Sequence, residues 1–149
     1  MRIAIAADHA GFRLKETLRA HVAAAGHEVI DLGTDSEDPV DYPDFAAAVG
    51  RAVARGEADR GIVVCGSGAG ASIAATKIKG VRCATVHDVY TAHQAVEHDD
   101  LNVLALGARV IGPALAAEIV DAYLAARFSG EERHRRRLDK LARLDEDRA

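Results

Sequence analysis

The chain has 149 residues and a formal net charge of −4; 49% of its residues are hydrophobic and only 4% aromatic. The length favours one domain spanning residues 1–149, with Ala, Val, Ile and Leu supplying most of the core. The acidic balance excludes a general attraction to nucleic acid or anionic membranes. No apolar run approaches the roughly 20 residues that cross a bilayer, and the start, "MRIAIAADHAG", turns polar too soon for a signal peptide, so a cytoplasmic protein is expected.

Five short apolar runs with the length and β-branched content of buried strands alternate with amphipathic stretches. "RIAIAA" (2–7) is the first. Leu14, Leu18 and Val22 then fall four apart on a helix that Gly26 stops. "EVIDL" (28–32) is followed by a second stripe that starts with Phe45 and Val49 and ends at Gly56. "GIVVC" (61–65) runs into a glycine loop and a short helix, "ASIAATKIK". "VRCATV" (81–86) precedes the helical "VYTAHQAVEH". "NVLAL" (102–106) precedes "PALAAEIVDAYLAARF", whose Pro113 suits a first helical turn. The tail, "EERHRRRLDKLARLDED", sets Leu138, Leu141 and Leu144 at helical spacing. This alternation predicts an α/β fold: a five-stranded, mostly parallel sheet covered on both faces, with a C-terminal extension helix.

In such sheets ligands bind beyond the carboxyl ends of the strands. Asp8 and His9 follow the first strand, and Asp41 and Tyr42 lie in the loop after the second. Cys65 and the glycine loop follow the third, His87 and Asp88 the fourth, and Gly107 and Arg109 the fifth. Polar residues occupy strand ends for solvation alone, but a thiol and a glycine loop sharing this edge favour a site. Asp8 also reads as a helix cap, and His9 as a cap or a phosphate ligand.

Gly66, Gly68 and Gly70, in "VVCGSGAGAS", let several backbone N–H groups point one way at a helix N-terminus. Such a nest stabilises a phosphate or an oxyanion. It is not a Walker A loop, because no GK[ST] ends it and Lys77 comes too late. It does match G-x-G-x-x-A with Ala71 last, and Asp88 stands where a dinucleotide fold wants its acid. Against a dinucleotide-binding module, the loop follows the third strand rather than the first.

Cys65 and Cys83, the two cysteines, fit no CxxC or zinc pattern, so neither a metal cluster nor a disulfide framework is expected. A thiol just before a helix N-terminus has its thiolate favoured by the dipole. A thiolate removes a proton from carbon, and the nest beside it holds the enediolate oxygen that results. Base and oxyanion hole are the minimum equipment for aldose–ketose isomerisation. Spacing alone leaves this reading beside that of Cys65 as a small core residue.

His98, in "EHDDLN", has the chemistry of a general acid–base group. His93 and Glu97 share a helix face, but without HExxH or a third ligand they do not make a metal site. Arg133 and Arg137 are i and i+4 on the tail helix and can address one anion, with His134 on a neighbouring face. Glu131, Glu132, Asp139, Asp145 and Asp147 interrupt the basic run, which argues against a stripe that tracks nucleic-acid phosphates.

With "ADHAGF", "DYPDFA", "CGSGAGASIAATK", "EHDDLNVLALGARVIG" and "RHRRR" assembled, nearly the whole chain resembles the B-type ribose-5-phosphate isomerases. Their wider family includes the galactose- and allose-phosphate isomerases. The resemblance implies a Rossmann-like three-layer sandwich, interconversion of ribose 5-phosphate and ribulose 5-phosphate through an enediolate, and no metal or other cofactor. It implies Cys65 as the base that moves the proton between C1 and C2, and His98 as the residue that opens the furanose ring. Asp8 and His9 become a substrate-binding pair, with Asp41 and Tyr42 as further contacts. Gly66, Ser67, Gly68, Ala69 and Gly70 become the anion hole, and Arg109, Arg133 and Arg137 phosphate contacts. Some members lack the cysteine and carry a glutamate at or near the position of Ala71; this chain keeps the thiol.

Three departures stand out. Ser67 replaces a common threonine and keeps the hydroxyl, and Thr76 replaces a common asparagine. Asp99 replaces an asparagine that contacts substrate in many members, which opens allose 6-phosphate, galactose 6-phosphate or a four-carbon sugar phosphate as alternative substrates. The expected partners are a sugar phosphate and a second copy of the chain. The expected assembly is a homodimer or a dimer of dimers in which the tail arginines complete a neighbour's site.

Overall fold

In the computed structural model, which describes residues 1–148, the five expected strands form one sheet, and every pairing in it is parallel. The strands are β1 (Arg2–Ala7), β2 (Glu28–Asp31), β3 (Arg60–Cys65), β4 (Cys83–Thr85) and β5 (Val103–Gly107), in the order β2-β1-β3-β5-β4. The helices are α1 (Phe12–Ala24), α2 (Tyr42–Ala54), α3 (Ala69–Thr76), α4 (Val89–Asp99), α5 (Pro113–Ala125) and α6 (Glu132–Glu146). β4 is shorter than its apolar run, because it is an edge strand that pairs only with β5. α3 starts earlier than "ASIAATKIK" suggests: its first residues, Ala69 and Gly70, lie inside the glycine loop.

Right-handed crossovers assign each helix to a face. β1→β2 and β4→β5 step toward the β2 side of the sheet, and α1 and α4 lie together with α5 on one face. β2→β3 and β3→β4 step the other way, and α2 and α3 cover the opposite face. The result is the three-layer, Rossmann-like sandwich. Both sides of each central strand are buried, and the two sides differ in size. Ile3, Ile5, Ile62, Val64, Leu104 and Leu106 face α1, α4 and α5. Ala4, Ala6, Val63, Cys65, Val103 and Ala105 face α2 and α3. The small layer lets α2 close in: a Cβ on Gly61 would sit 2.4 Å from Val49 Cγ1.

Two polar anchors fix the chain outside these layers. Lys15, 1% exposed, donates to Asp31 Oδ1 and Oδ2 (2.8 and 3.1 Å) and to the Thr34 carbonyl (2.7 Å). Arg60 donates to the carbonyls of Tyr123 and Ala126 at the end of α5, which fixes where the tail departs.

Burial raises the pKa of Asp31, but hydrogen bonds from Lys15 and Gly33 outweigh it and hold the carboxyl below its ordinary value. Asp31→Asn leaves the Lys15 ammonium buried without a counter-charge from β2 and is expected to lower stability by about 3 kcal/mol. Urea unfolding at neutral pH measures this. A depressed folded-state pKa means the pair's contribution is complete above the unfolded aspartate value. The gap between wild type and variant therefore narrows as the pH falls through the lowered value.

Candidate active site

The chain leaves β1 and β3, which are neighbours, in opposite directions and toward opposite faces, so a crevice opens between their carboxyl ends. A cleft of about 350 Å³ lies there, lined by Asp8, Tyr42, Cys65, Gly66, Ser67, Gly70, Arg109 and Val110. The strand ends approach closely: the Asp8 N–H donates to Val64 O (3.2 Å), and a Cβ on Gly11 would sit 2.4 Å from that same oxygen. Asp8 does not cap α1, whose N-cap is Gly11; its Oδ1 accepts the Gly11 N–H at 3.0 Å. His9 Nδ1 accepts the Val40 N–H (3.1 Å), which leaves Nε2 as the nitrogen that can donate.

Cys65 ends β3 in the small-residue layer, 5% exposed, and its Sγ accepts the Gly68 N–H at 3.2 Å. Gly68, at φ +83°, is the N-cap of α3 and turns the loop back on the thiol, a conformation that favours glycine. The Ala69 N–H donates to Ser67 Oγ (3.2 Å). The N–H groups of Gly66, Ser67 and Gly70 find no acceptor among the described residues. Thr85 Oγ1 donates to the Gly68 carbonyl (3.0 Å), and His87 Nε2 accepts the Gly107 N–H (2.9 Å), so the ends of β4 and β5 brace the loop. Arg109 donates its N–H to Gly66 O (3.0 Å), its guanidinium lies against Gly66, and no carboxylate pairs with it among the described residues. The Tyr42 ring covers Gly70, where a Cβ would sit 2.8 Å from it. Asp41 occupies the N-cap position of α2, exposed and outside the cleft lining.

The other expected site residues are elsewhere. α4 runs antiparallel to the strands, so His98 and Asp99 end up beside the start of β5, whereas Cys65 pairs with its last residue, Gly107. The length of β5 alone separates the two groups by about 13 Å. The start of α6 is tied to this amino edge by the Ser129 N–H, which donates to the Glu97 carbonyl (2.9 Å). His98 stacks on His134 with 4.2 Å between ring centroids, and Arg133 pairs with Glu131 at 2.8 Å. Arg137 is exposed one turn further on. One chain therefore carries two polar clusters at opposite edges of its sheet. One sequence reading needs correction, and one residue gains a position that the sequence did not give. Asp88 is the N-cap of α4, accepting the Thr91 N–H at 2.6 Å, and so is spent as a cap rather than held toward a ribose. His134 points inward and is buried. Thr85 and Gln94 escaped sequence reasoning altogether, because neither lies in a motif or on an apolar stripe.

Fold and cleft together define an α/β protein in which a thiol and a glycine loop with unpartnered N–H groups share one crevice. The chain belongs to the ribose/galactose isomerase family, whose sequence model matches residues 3–141. It is 46% identical over 147 residues to ribose-5-phosphate isomerase B of Escherichia coli, covering 99% of this chain and 98% of that one. It is 44% identical over 132 residues to D-erythrulose-4-phosphate isomerase of Pectobacterium atrosepticum, covering 87% and 86%. Among solved structures, ribose-5-phosphate isomerase B of Clostridium thermocellum superposes with a TM-score of 0.96 at 47% identity, covering 98% of each chain.

The two thiols differ in their surroundings. Burial pushes the Cys83 thiol up to about 12, against a smaller opposing hydrogen bond from Ser72. In a Cys65→Ala variant, the thiolate ultraviolet absorbance is therefore expected to stay absent to about pH 10. A thiolate signal near pH 8–9 in that variant would contradict this.

Proposed function

We propose that this sugar-phosphate isomerase interconverts ribose 5-phosphate and ribulose 5-phosphate through an enediolate, without a metal, and with Cys65 as the base. What carries the reading is the cleft at the β1/β3 crevice, where Cys65 Sγ converges with three N–H groups and an Arg109 guanidinium that have no partner among the described residues. His98 opens the furanose by passing the proton of the C1 hydroxyl to the ring oxygen as the C1–O4 bond breaks. The Cys65 thiolate then takes the C2 proton. The electron pair left behind forms the C1=C2 bond, and negative charge moves to O1, where the N–H groups of the loop stabilise it. O1 gains a proton, O2 loses one, and the Cys65 thiol returns its proton to C1. Asp8 and His9 hold sugar hydroxyls, with Asp41 and Tyr42 at the margin. Arg109, Arg133 and Arg137 take the phosphate.

The working unit in this reading is a homodimer, alone or paired into a tetramer. The carboxyl-edge cluster of one chain meets His98, Asp99, Arg133 and Arg137 of its partner. The 13 Å or so between Cys65 and His98 along β5 supports this, because one chain alone does not bring base and ring-opening group together. Exposed apolar side chains, with Ile73 63%, Tyr90 67% and Val110 58% exposed, supply surface for such an interface. The erythrulose-phosphate relative favours a second reading of the same chemistry on a four-carbon substrate, and Asp99 is the residue we assign to that choice.

Turnover across four-, five- and six-carbon aldose phosphates, with solvent proton exchange, tests the function. Cys65→Ala should remain folded and lose about 10²–10⁴ in kcat. A folded variant with near-normal turnover returns Cys65 to the core.

Mixing Cys65→Ser and Arg137→Ala chains, each nearly inactive alone, tests the sharing. A mixed two-fold dimer has one site with both defects and one with neither, so random re-pairing restores roughly a quarter of wild-type sites. No recovery in demonstrated mixed dimers would place both residues in the same chain's site.

A further inference from the structure

His134 stands apart in α6, being the one buried residue of that helix among those described, at 1% exposure. Its two nitrogens are both enclosed, and only one has a partner among the described residues. Nδ1 lies 2.5 Å from Ser129 Oγ, and Nε2 is buried without a partner. What it presents is a ring face, and that face lies on His98 at a centroid distance of 4.2 Å and an interplanar angle of 27°. Phe128 lies near the same ring, tilted by 52° with its centroid 6.5 Å away. His98 is held on a second side as well, because Gln94 Nε2 lies 3.0 Å from His98 Nδ1 and donates to it. The two contacts fix the plane and rotation of the His98 ring and leave its Nε2 to act.

We propose that His134 is a positioning residue: it holds the His98 imidazole by stacking and takes no part in binding substrate. The proposal rests on the ring-opening role assigned to His98 above. The charge state suits the task. Burial, with the neighbouring His98 and Arg133, holds the pKa of His134 below the ordinary histidine value, and Arg137 acts the same way against a weaker pull from Glu131. A neutral ring leaves His98 free to gain and lose a proton. An imidazolium in the same place would oppose each protonation by like-charge repulsion. Ser129 supports the arrangement twice over, since it bonds the His134 ring and ties the segment to α4 through the Glu97 carbonyl.

The test is a double-mutant cycle on ribose 5-phosphate with His98→Asn, His134→Leu and their combination, beside His134→Phe. Leucine fills the space without an aromatic face, whereas phenylalanine keeps the face. His134→Leu should lower kcat by roughly ten- to a hundredfold, as expected for a misplaced catalytic group, with KM nearly unchanged. His134→Phe should restore most of that loss. In the His98→Asn background, His134→Leu should cost nothing further. Proton NMR should show the His98 ring resonances shifted in the leucine variant and near their native positions in the phenylalanine one. Losses that multiply with an impaired His98→Asn, or a rise in KM at constant kcat, would overturn the proposal alone. Wild-type turnover by His98→Asn would overturn the role given to His98, and the proposal with it.

Discussion

The handedness of strand connection governs where chemistry can occur in this molecule. Right-handed crossovers and the order β2-β1-β3-β5-β4 send the chain out of β1 and β3 in opposite directions. The gap between those two strand ends then lies between the two departing connections, with Tyr42 at the start of α2 on its wall. Asp8, which follows β1, and Cys65, which ends β3, are left at the mouth of a crevice. The hydrogen bond from the Asp8 N–H to Val64 O and the absence of a side chain at Gly11 keep that mouth narrow. The polar groups of the cleft thus owe their convergence to backbone geometry rather than to contacts with one another.

The unequal layers carry this further. Alanines and Gly61 on one side of the sheet bring α2 and α3 in close, so the N-terminus of α3 is delivered beside the β3 thiol. The large aliphatic side chains lie on the other face and supply most of the apolar burial there. Glycine at position 107 belongs to the same design, since a Cβ there would meet the Ser67 carbonyl oxygen at 2.6 Å. The loop is shaped by tight backbone packing from beneath and by Thr85 and His87 from the side.

Much of this was legible in the sequence. Each strand shows as a short apolar run because both its faces are buried, and Cys65 with its glycine loop is a local pattern that local reading catches. The start of α3 was misplaced because Ala69-Gly70 has weak helical signature; the turn is closed by the Ser72 N–H donating to Gly68 O. The place of His98 is harder to read. Motif order sets it beside the other site residues, but an eleven-residue helix carries the chain back about 16 Å before His98 appears. The burial of His134 is hidden inside "RHRRR", where four arginines mask one inward position. The tether from Ser129 to α4, with the Gly80 N–H donating to Asp145 at the far end, helps decide which face of α6 turns in.

Dividing the polar groups between two edges has an electrostatic logic. Arg109, Arg133 and Arg137 gathered in one folded chain would converge three cations with no anion to neutralise them. Apart, each is accommodated: Arg109 lies exposed against Gly66, Arg133 pairs with Glu131 at 2.8 Å, and Arg137 is solvated. Under the dimeric reading, convergence is deferred until a second chain arrives and a dianionic phosphate fills the space between them. The repulsion that would oppose folding of one chain then becomes the field that selects the substrate. The Arg133–Glu131 pair must loosen for this, and as an exposed ion pair it costs little to open. The buried anchor at His134 keeps the start of α6 in place while it does.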